Sequence, residues 1–395
     1  MTPLVYLAPV AWHSLWQRPQ RLAAALAGHF QLSYVDPVGM RSLRCADLRR
    51  LAPGKGTRGD APAGIRIVRP RYLPWQNTLC SQWNRRWLRA QLLRAIPALR
   101  EEEYQLWIGA PNLAALVLLA TTRPRRVIFD CMDRYEEFHP GADHARIMSA
   151  ANTVLRSADV VFAASVPLAQ ELAGKHDHVV FAPNGVDYRH FAVAMPRSLW
   201  QRRRTQAAKV IGFHGTLGEW LDYELLAALA RERPAWRWVF VGPVHAAGAR
   251  RLFALDNVQH RPKVPYEELP HRLAEFDVGV IPFARNRLTD AALPVKLGEY
   301  LAAGLPVVAS RLASLEPVPG HVTLAETKAE WLAALDAALQ PGVVHPKIIA
   351  ARRRLAAARS WDLTIETILA ALGAADATLY KHAASPQQSI GRQVA

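Results

Sequence analysis

The chain has 395 residues, 51% of them apolar, and a formal net charge of +16. That length and apolar share suit two domains with real cores and exclude a disordered chain. Three cysteines, Cys45, Cys80 and Cys131, are too few and too scattered for a disulfide framework or a zinc pattern, which points to a reducing cytoplasm.

The opening MTPLVYLAPV has no basic leader and no small-residue cleavage site, so no signal peptide is expected. The longest apolar run, 113–120, is far short of the roughly 20 residues a spanning helix needs. A soluble or peripheral protein is expected. The pattern predicts a strand over 4–9, a helix over 19–26 stopped by Gly28, and strands over 31–35 and 65–68. A helix over 81–99, a strand over 106–109 and a helix over 113–119 follow. Next come a strand over 127–130, a helix over 145–157, a strand over 160–164, a helix over 167–173 and a strand over 179–181. Residues 196–208 are polar, include Arg202, Arg203 and Arg204, and lack apolar periodicity, which reads as a linker. A second series has strands over 210–213 and 237–241, near Val258 and over 278–282, with helices over 222–230 and 266–274. Strands alternating with helices imply parallel sheets covered on both faces. The expected fold class is α/β: two Rossmann-like doubly wound domains, 1–195 and 209–358, facing a cleft, with ligands at the carboxyl ends of the strands. Residues 374–395 read as a disordered tail.

The positive charge is concentrated. Residues 41–100 hold fourteen arginines and lysines against Asp47 and Asp60 alone. Trp75, Trp83 and Trp87 interleave there with Arg85, Arg86 and Arg89. Such a segment suits an anionic membrane surface or an anionic acceptor such as a lipid-linked diphosphate. No nucleic-acid motif accompanies it, and no nucleic-acid partner is expected. A solvated basic face is the plain alternative.

Several segments carry candidate chemistry. The loop 11–20 leaves the first strand and is dense in polar and aromatic groups. Trp12 and His13 could hold a sugar or acceptor there, and Arg18 could meet a phosphate or brace the helix. Asp130 and Asp133 leave another strand toward the expected cleft and are candidates for general-base work, Asp133 first and Asp130 second. Two carboxylates alone make a weak metal site, and the pair His176/His178 lacks further ligands, so no metal is expected. In Pro183-Asn184-Gly185, Gly185 is expected to supply a turn residue with φ > 0.

In the second domain, Gly212-Phe213-His214-Gly215-Thr216-Leu217-Gly218 follows a strand, where glycines let backbone N–H groups approach a diphosphate. Gly242 ends the next strand. Over 293–310, Pro294 sits at a helix start and Gly304 at its end, with Pro306 beyond. Lys296 then lies in the first turn and Glu299 one turn later on the same face. A helix start suits a phosphate, Lys296 adds a full charge, and Glu299 can accept two hydrogen bonds from a ribose diol.

The run Pro-x-Lys-x-x-Glu-Tyr-Leu-Ala-x-Gly-x-Pro-Val-Val over 294–308 resembles the donor site of nucleotide-sugar glycosyltransferases of the two-domain GT-B type, closest to the bacterial group resembling family 4, or group 1. The stretch Trp-x-x-x-x-Gln-Arg-Pro-Gln over 12–20 is similar to one in cell-wall polysaccharide glycosyltransferases. The resemblance implies transfer of a sugar from a nucleotide-diphosphate donor to a hydroxyl of a glycan, glycolipid or lipid-linked acceptor in bacterial polysaccharide biosynthesis. It implies no cofactor apart from that donor, no metal, retention of configuration, and work in the cytoplasm at the inner face of the cell membrane. Glu299 matches the second member of a Glu-x7-Glu pair, whose first position is Ala291 here. The segment 261–266, with Lys263 and Val264, falls where the backbone meets the nucleobase. Thr216 stands near the place of a usual phosphate-binding Arg, so neutralisation falls to Lys296, backbone amides and Arg285 or Arg287. Met132-Asp133 occupies the place of a usual His-Asp. A terminal helix over 359–373 is expected to pack back on the first domain. A nucleotide-sugar 2-epimerase on the same fold, and a non-catalytic basic protein binding membrane or nucleic acid, are the alternatives.

Overall fold

The computed structural model describes residues 1–38, 64–72, 78–101, 103–138, 141–192 and 208–373. The described chain divides into two compact units: Met1–Ala182 with Thr367–Gly373, and Pro183–Glu366. The linker 196–208, apart from its last residue, and the tail 374–395 lie outside the described residues, as does Trp75.

The first unit holds β1 (Pro3–Leu7), β2 (Gln31–Val35), β3 (Ile65–Val68), β4 (Gln105–Ile108), β5 (Arg126–Cys131), β6 (Val160–Ala163) and β7 (Val179–Phe181). They pair in parallel in the order β3-β2-β1-β4-β5-β6-β7. The central strands are buried along almost their whole length, which is why they read as unbroken apolar runs. Register sets Tyr6 beside both Tyr34 and Trp107. The rings stack at centroid distances of 5.5 and 5.4 Å, and Trp107 stacks on Phe162 at 5.5 Å. These rings form an aromatic row across the middle of the sheet.

The second unit repeats the plan with β8 (Val210–His214), β9 (Arg237–Val241), β10 (Val258–Arg261), β11 (Val278–Ile281), β12 (Val307–Ser310) and β13 (Val322–Ala325), in the order β10-β9-β8-β11-β12-β13. Both orders reverse beside their first strand, at β1/β4 and at β8/β11. Such reversal points open a crevice at the strands' carboxyl ends. The doubly wound α/β fold class is therefore what the chain adopts in each unit.

Local differences have local causes. The helix expected over 81–99 runs Thr78–Ala95 and gives way at Pro97 to a 3₁₀ turn, Pro97–Arg100, because proline cannot donate to the preceding turn. The helix expected over 266–274 is a 3₁₀ turn, Tyr266–Glu268, and then Leu269–Leu273. Past residue 310, β13 and the helices Lys328–Ala338 and Pro346–Ala357 have no counterpart in the sequence-based assignment. Gly185 does not take positive φ. A Cβ there would meet the Trp361 backbone, Cα at 2.5 Å and N at 2.6 Å, so close chain approach demands the glycine. The last helix is Trp361–Gly373. In its final turn, counted with the first unit, Leu372 O accepts from Arg126 Nη1 at 2.6 Å.

The Gln-Arg-Pro-Gln run turns out to brace the first unit. Gln17 and Gln20 form a reciprocal capping box at the start of the helix Arg18–Leu26. The amide of Gln20 also donates to Ala11 O, Ser14 Oγ and Leu15 O, which laces the preceding loop. Arg18 is buried. Its guanidinium donates to both oxygens of Asp130 at 2.7–3.1 Å and to Ala182 O at 2.8 Å, tying the helix to β5 and to the chain after β7. A buried charge of this kind stands only while paired. Arg18→Met should cost about 3–5 kcal/mol in urea unfolding. Arg18→Met with Asp130→Asn should cost clearly less than the two single changes summed.

Candidate active site

The second unit builds its site where β8 and β9 end. Gly215, just past β8, has φ +114°, and Gly242, just past β9, has φ +143°. Side-chain-bearing residues rarely hold either conformation. A Cβ on Gly242 would lie 2.2 Å from Gly215 O, and one on Gly215 would lie 2.6 Å from Lys296 Cε and 2.8 Å from Nζ. The turns are laced by Gly215 N–H donating to Val241 O at 2.8 Å and Gly242 N–H to Arg261 O at 3.0 Å. Lys296 thus lies directly across bare backbone.

Lys296 is the second residue of the helix Val295–Ala302, whose N-cap is Pro294 and whose first turn holds no acid. The approach to that helix is fastened by Asn184 Nδ2 donating to Leu293 O at 2.8 Å. The Lys296 ammonium sits 5.3 Å from the centre of the Phe213 ring. Burial pulls its pKa below the ordinary lysine value, and the charge of Glu299 opposes that pull. An anion arriving here meets a cation already partly stripped of water, beside free helix N–H groups.

Glu299 lies one turn on, as expected. Its Oε2 is 3.0 Å from Nε2 of His214, the last residue of β8, and the two side chains are only 12% and 6% exposed. The backbone N–H of His214 donates to Tyr300 Oη at 3.2 Å, and its ring stands edge-on to Tyr300 at 5.1 Å. Tyr300 in turn lies over Gly279, where a Cβ would sit 2.5 Å from its ring. Gly215, Gly242, Lys296 and Glu299 are therefore brought together, with Thr216 half-buried just past Gly215. His214 and Phe213 join the group although the glycine pattern singled out neither. The available signal was a histidine at a strand's carboxyl end, immediately before the glycine. Lys263 is exposed and Val264 half-buried beyond β10, two strands from β8. Arg285 is committed elsewhere: Nη1 donates to Glu326 at 2.9 Å and Nε lies 3.6 Å from Asp290. Carboxylates already answer its charge.

In the first unit, His13 is exposed on the loop after β1. Trp12 is buried: its backbone N–H donates to Asp36 Oδ1 at 2.9 Å and its ring stands edge-on to Tyr34 at 4.9 Å. It is core, not a sugar platform. Trp16 carries the exposed ring of this loop, at 36%, with the Arg21 guanidinium 5.8 Å from its centre. Asp130 is fully buried with both oxygens taken by Arg18, which places it as a structural partner and leaves no face for a base to work from. Asp133 differs. It is half-buried, and its pKa is pushed up to about 7, by burial first and by the charge of Asp130 second, against the pull of Arg18. A carboxyl that changes state near neutrality is matched to proton transfer.

Residues 208–341 match the family described as glycosyl transferases group 1. A relative from Bacillus subtilis (strain 168), TuaH, described as a candidate teichuronic acid biosynthesis glycosyltransferase, is 28% identical over 300 residues, covering 70% of this chain and 72% of its own. Anabaena HepE, solved in complex with UDP-glucose, is 14% identical with a TM-score of 0.67, over 95% of this chain and 100% of that one. Sucrose-phosphate synthase from Thermosynechococcus elongatus is 15% identical with a TM-score of 0.67, over 93% and 97%. At such identities the solved structures show the fold alone, which is GT-B. The resemblance to bacterial group 1 glycosyltransferases is borne out, and with it the reading of this chain as a glycosyltransferase.

Two outcomes are expected from this geometry. Gly215→Ala forces a Cβ into Lys296 and strains the backbone, and should cost about 1–3 kcal/mol of stability by thermal unfolding. Asp133 has a folded pKa above its unfolded value of about 4, so it weakens the fold as pH rises from there to about 7. Asp133→Asn should therefore gain melting temperature over the native protein at pH 8, and gain less at pH 5.

Proposed function

We propose that this glycosyltransferase draws its sugar from a uridine-diphosphate donor and delivers it to a hydroxyl of a glycan or lipid-linked acceptor of a cell-envelope polysaccharide, at the inner face of the membrane. The observation that carries the donor half is Lys296 lying across the bare Gly215 backbone, one helical turn from the Glu299–His214 pair. The uridine base is supported by HepE, whose structures hold UDP and UDP-glucose. The acceptor class is supported by TuaH, which its name assigns to teichuronic acid biosynthesis.

In this reading the diphosphate rests on the first-turn N–H groups of Val295–Ala302 and against Lys296, with the ribose hydroxyls on Glu299. His214 Nε2 stands beside Glu299. Gly242 and Thr216 border the phosphates, and Lys263 and Val264 border the base. As the bond from the sugar to the diphosphate breaks, negative charge grows on the leaving oxygens. Lys296 and the helix start stabilise that charge more in the transition state than in the ground state. A cation so placed supplies the charge that a metal would otherwise bring, and transfer is proposed to be metal-independent. The donor is consumed as substrate, with no separate cofactor.

Transfer is proposed to proceed with retention: the acceptor attacks from the face the diphosphate leaves, and the leaving oxygen takes its proton. One observation favours inversion instead, the Asp133 carboxyl titrating near pH 7, where it could serve as base. The anomeric configuration of the first-formed product, read by NMR, decides between them. Under inversion, Asp133→Asn should abolish turnover and the native rate should rise with pH through about 7.

Calorimetric titration with UDP, GDP, dTDP and their sugar conjugates tests the donor site. UDP should bind best. Lys296→Ala should weaken it about 100-fold and Glu299→Ala about 10-fold, the range for charge-assisted hydrogen bonds. His214→Ala should weaken it less than Glu299→Ala. Absence of binding by every nucleotide would overturn the proposal.

A further inference from the structure

The helix Thr78–Ala95 has two unlike sides. Asn84, Leu88 and Leu92, spaced i, i+4, i+8, are fully buried and turn one side into the first unit. On the opposite side Trp83, Arg86, Ala90 and Arg94, spaced i, i+3, i+7, i+11, are all exposed, and so is Arg89 on their flank, while the exposed Arg85 lies nearer the buried side. Trp83 is 54% exposed and forms a tilted pair with Trp87, ring centroids 5.1 Å apart. The chain after β3 runs beside this helix. Arg71 exchanges both backbone hydrogen bonds with the Gln91 side chain at 2.9 and 2.8 Å, and Arg66 Nη1 donates to Ala95 O at 2.9 Å. The local charge is one-signed: between Asp60 and Glu101 the sequence has eight arginines and no acid.

We infer that this face docks the protein on an anionic phospholipid bilayer, with the Trp83–Trp87 pair at headgroup level and Arg86, Arg89 and Arg94 against lipid phosphates. Indole rings favour the interfacial layer, where an apolar body and a polar N–H are both satisfied. Guanidinium forks match phosphate oxygens two at a time. Among the described residues no helix is long and apolar enough to cross a membrane, so this one lies on the surface. The occupant follows from shape as well as charge. Single-stranded nucleic acids are read by aromatic platforms on which bases stack. Here the two indoles are tilted 40° to each other on a convex helix between arginines, an arrangement for wedging among headgroups. The inference names the surface behind the membrane-side reading above, and its test needs no donor, acceptor or turnover.

The full chain is sedimented with vesicles of mixed phosphatidylcholine and phosphatidylglycerol, with phosphatidylcholine vesicles alone, and titrated with duplex and single-stranded DNA. The native protein should partition onto the anionic vesicles and be released by salt. Combined Arg86→Gln, Arg89→Gln and Arg94→Gln should lower that partition about 100-fold, at roughly fivefold for each cation near the surface. Trp83→Ser should lower it roughly tenfold. Both variants change exposed positions and should keep the native circular dichroism and melting temperature. Equal partition onto neutral vesicles, unchanged partition of the triple variant, or tighter binding to DNA through the same arginines would each overturn the inference.

Discussion

The second unit of this protein depends on a place where side chains are missing. Where β8 and β9 end, Gly242 presses on Gly215 and Gly215 lies under Lys296, each at a distance no Cβ would permit. Positive φ at both positions removes any cheap substitute. That close approach carries the Lys296 charge to the start of its own helix and brings the end of β8 within reach of Glu299. The rest of the second unit supports it: Tyr300 fills the space Gly279 leaves open, and Asn184 fixes the loop that enters the helix.

The first unit is organised around a buried ion pair. Arg18 and Asp130 come from elements 112 residues apart, and neither charge would be tolerated alone in that interior. One consequence reaches Asp133. Burial raises its pKa most, the Asp130 charge adds to that rise and Arg18 restrains it, so the pair that braces the fold also bears on the proton affinity of a half-buried carboxyl. The two aspartates, three residues apart, stand in unlike surroundings. What divides them is which one the arginine reaches.

The strand and helix plan was legible because its causes are local. Buried parallel strands read as short apolar runs, and Pro294, Gly304 and Pro306 punctuate the helix Val295–Ala302 where the physics of helix ends places them. The pairing of Lys296 with Glu299 followed from helical spacing alone. The roles of Trp12 and His214 were not legible, and bracing was one of two readings open for Arg18. Each depends on a neighbour far along the chain: Asp36 and Tyr34 for Trp12, Asp130 for Arg18, and Glu299 for His214. Gly185 was placed in a turn for its backbone freedom, and the structure shows instead that Trp361 leaves no room for a Cβ.

By itself, then, the sequence determined the doubly wound architecture, the helix that presents Lys296 and Glu299, and the one-signed charge of the segment before Glu101. These are written in periodicity, in Pro and Gly punctuation and in composition, all of which act over a few residues. Only the tertiary structure decided which polar groups are spent on the fold and which remain for chemistry. Burial and counter-charges are supplied by strands that meet through sheet pairing, and that pairing brings together residues no local pattern connects.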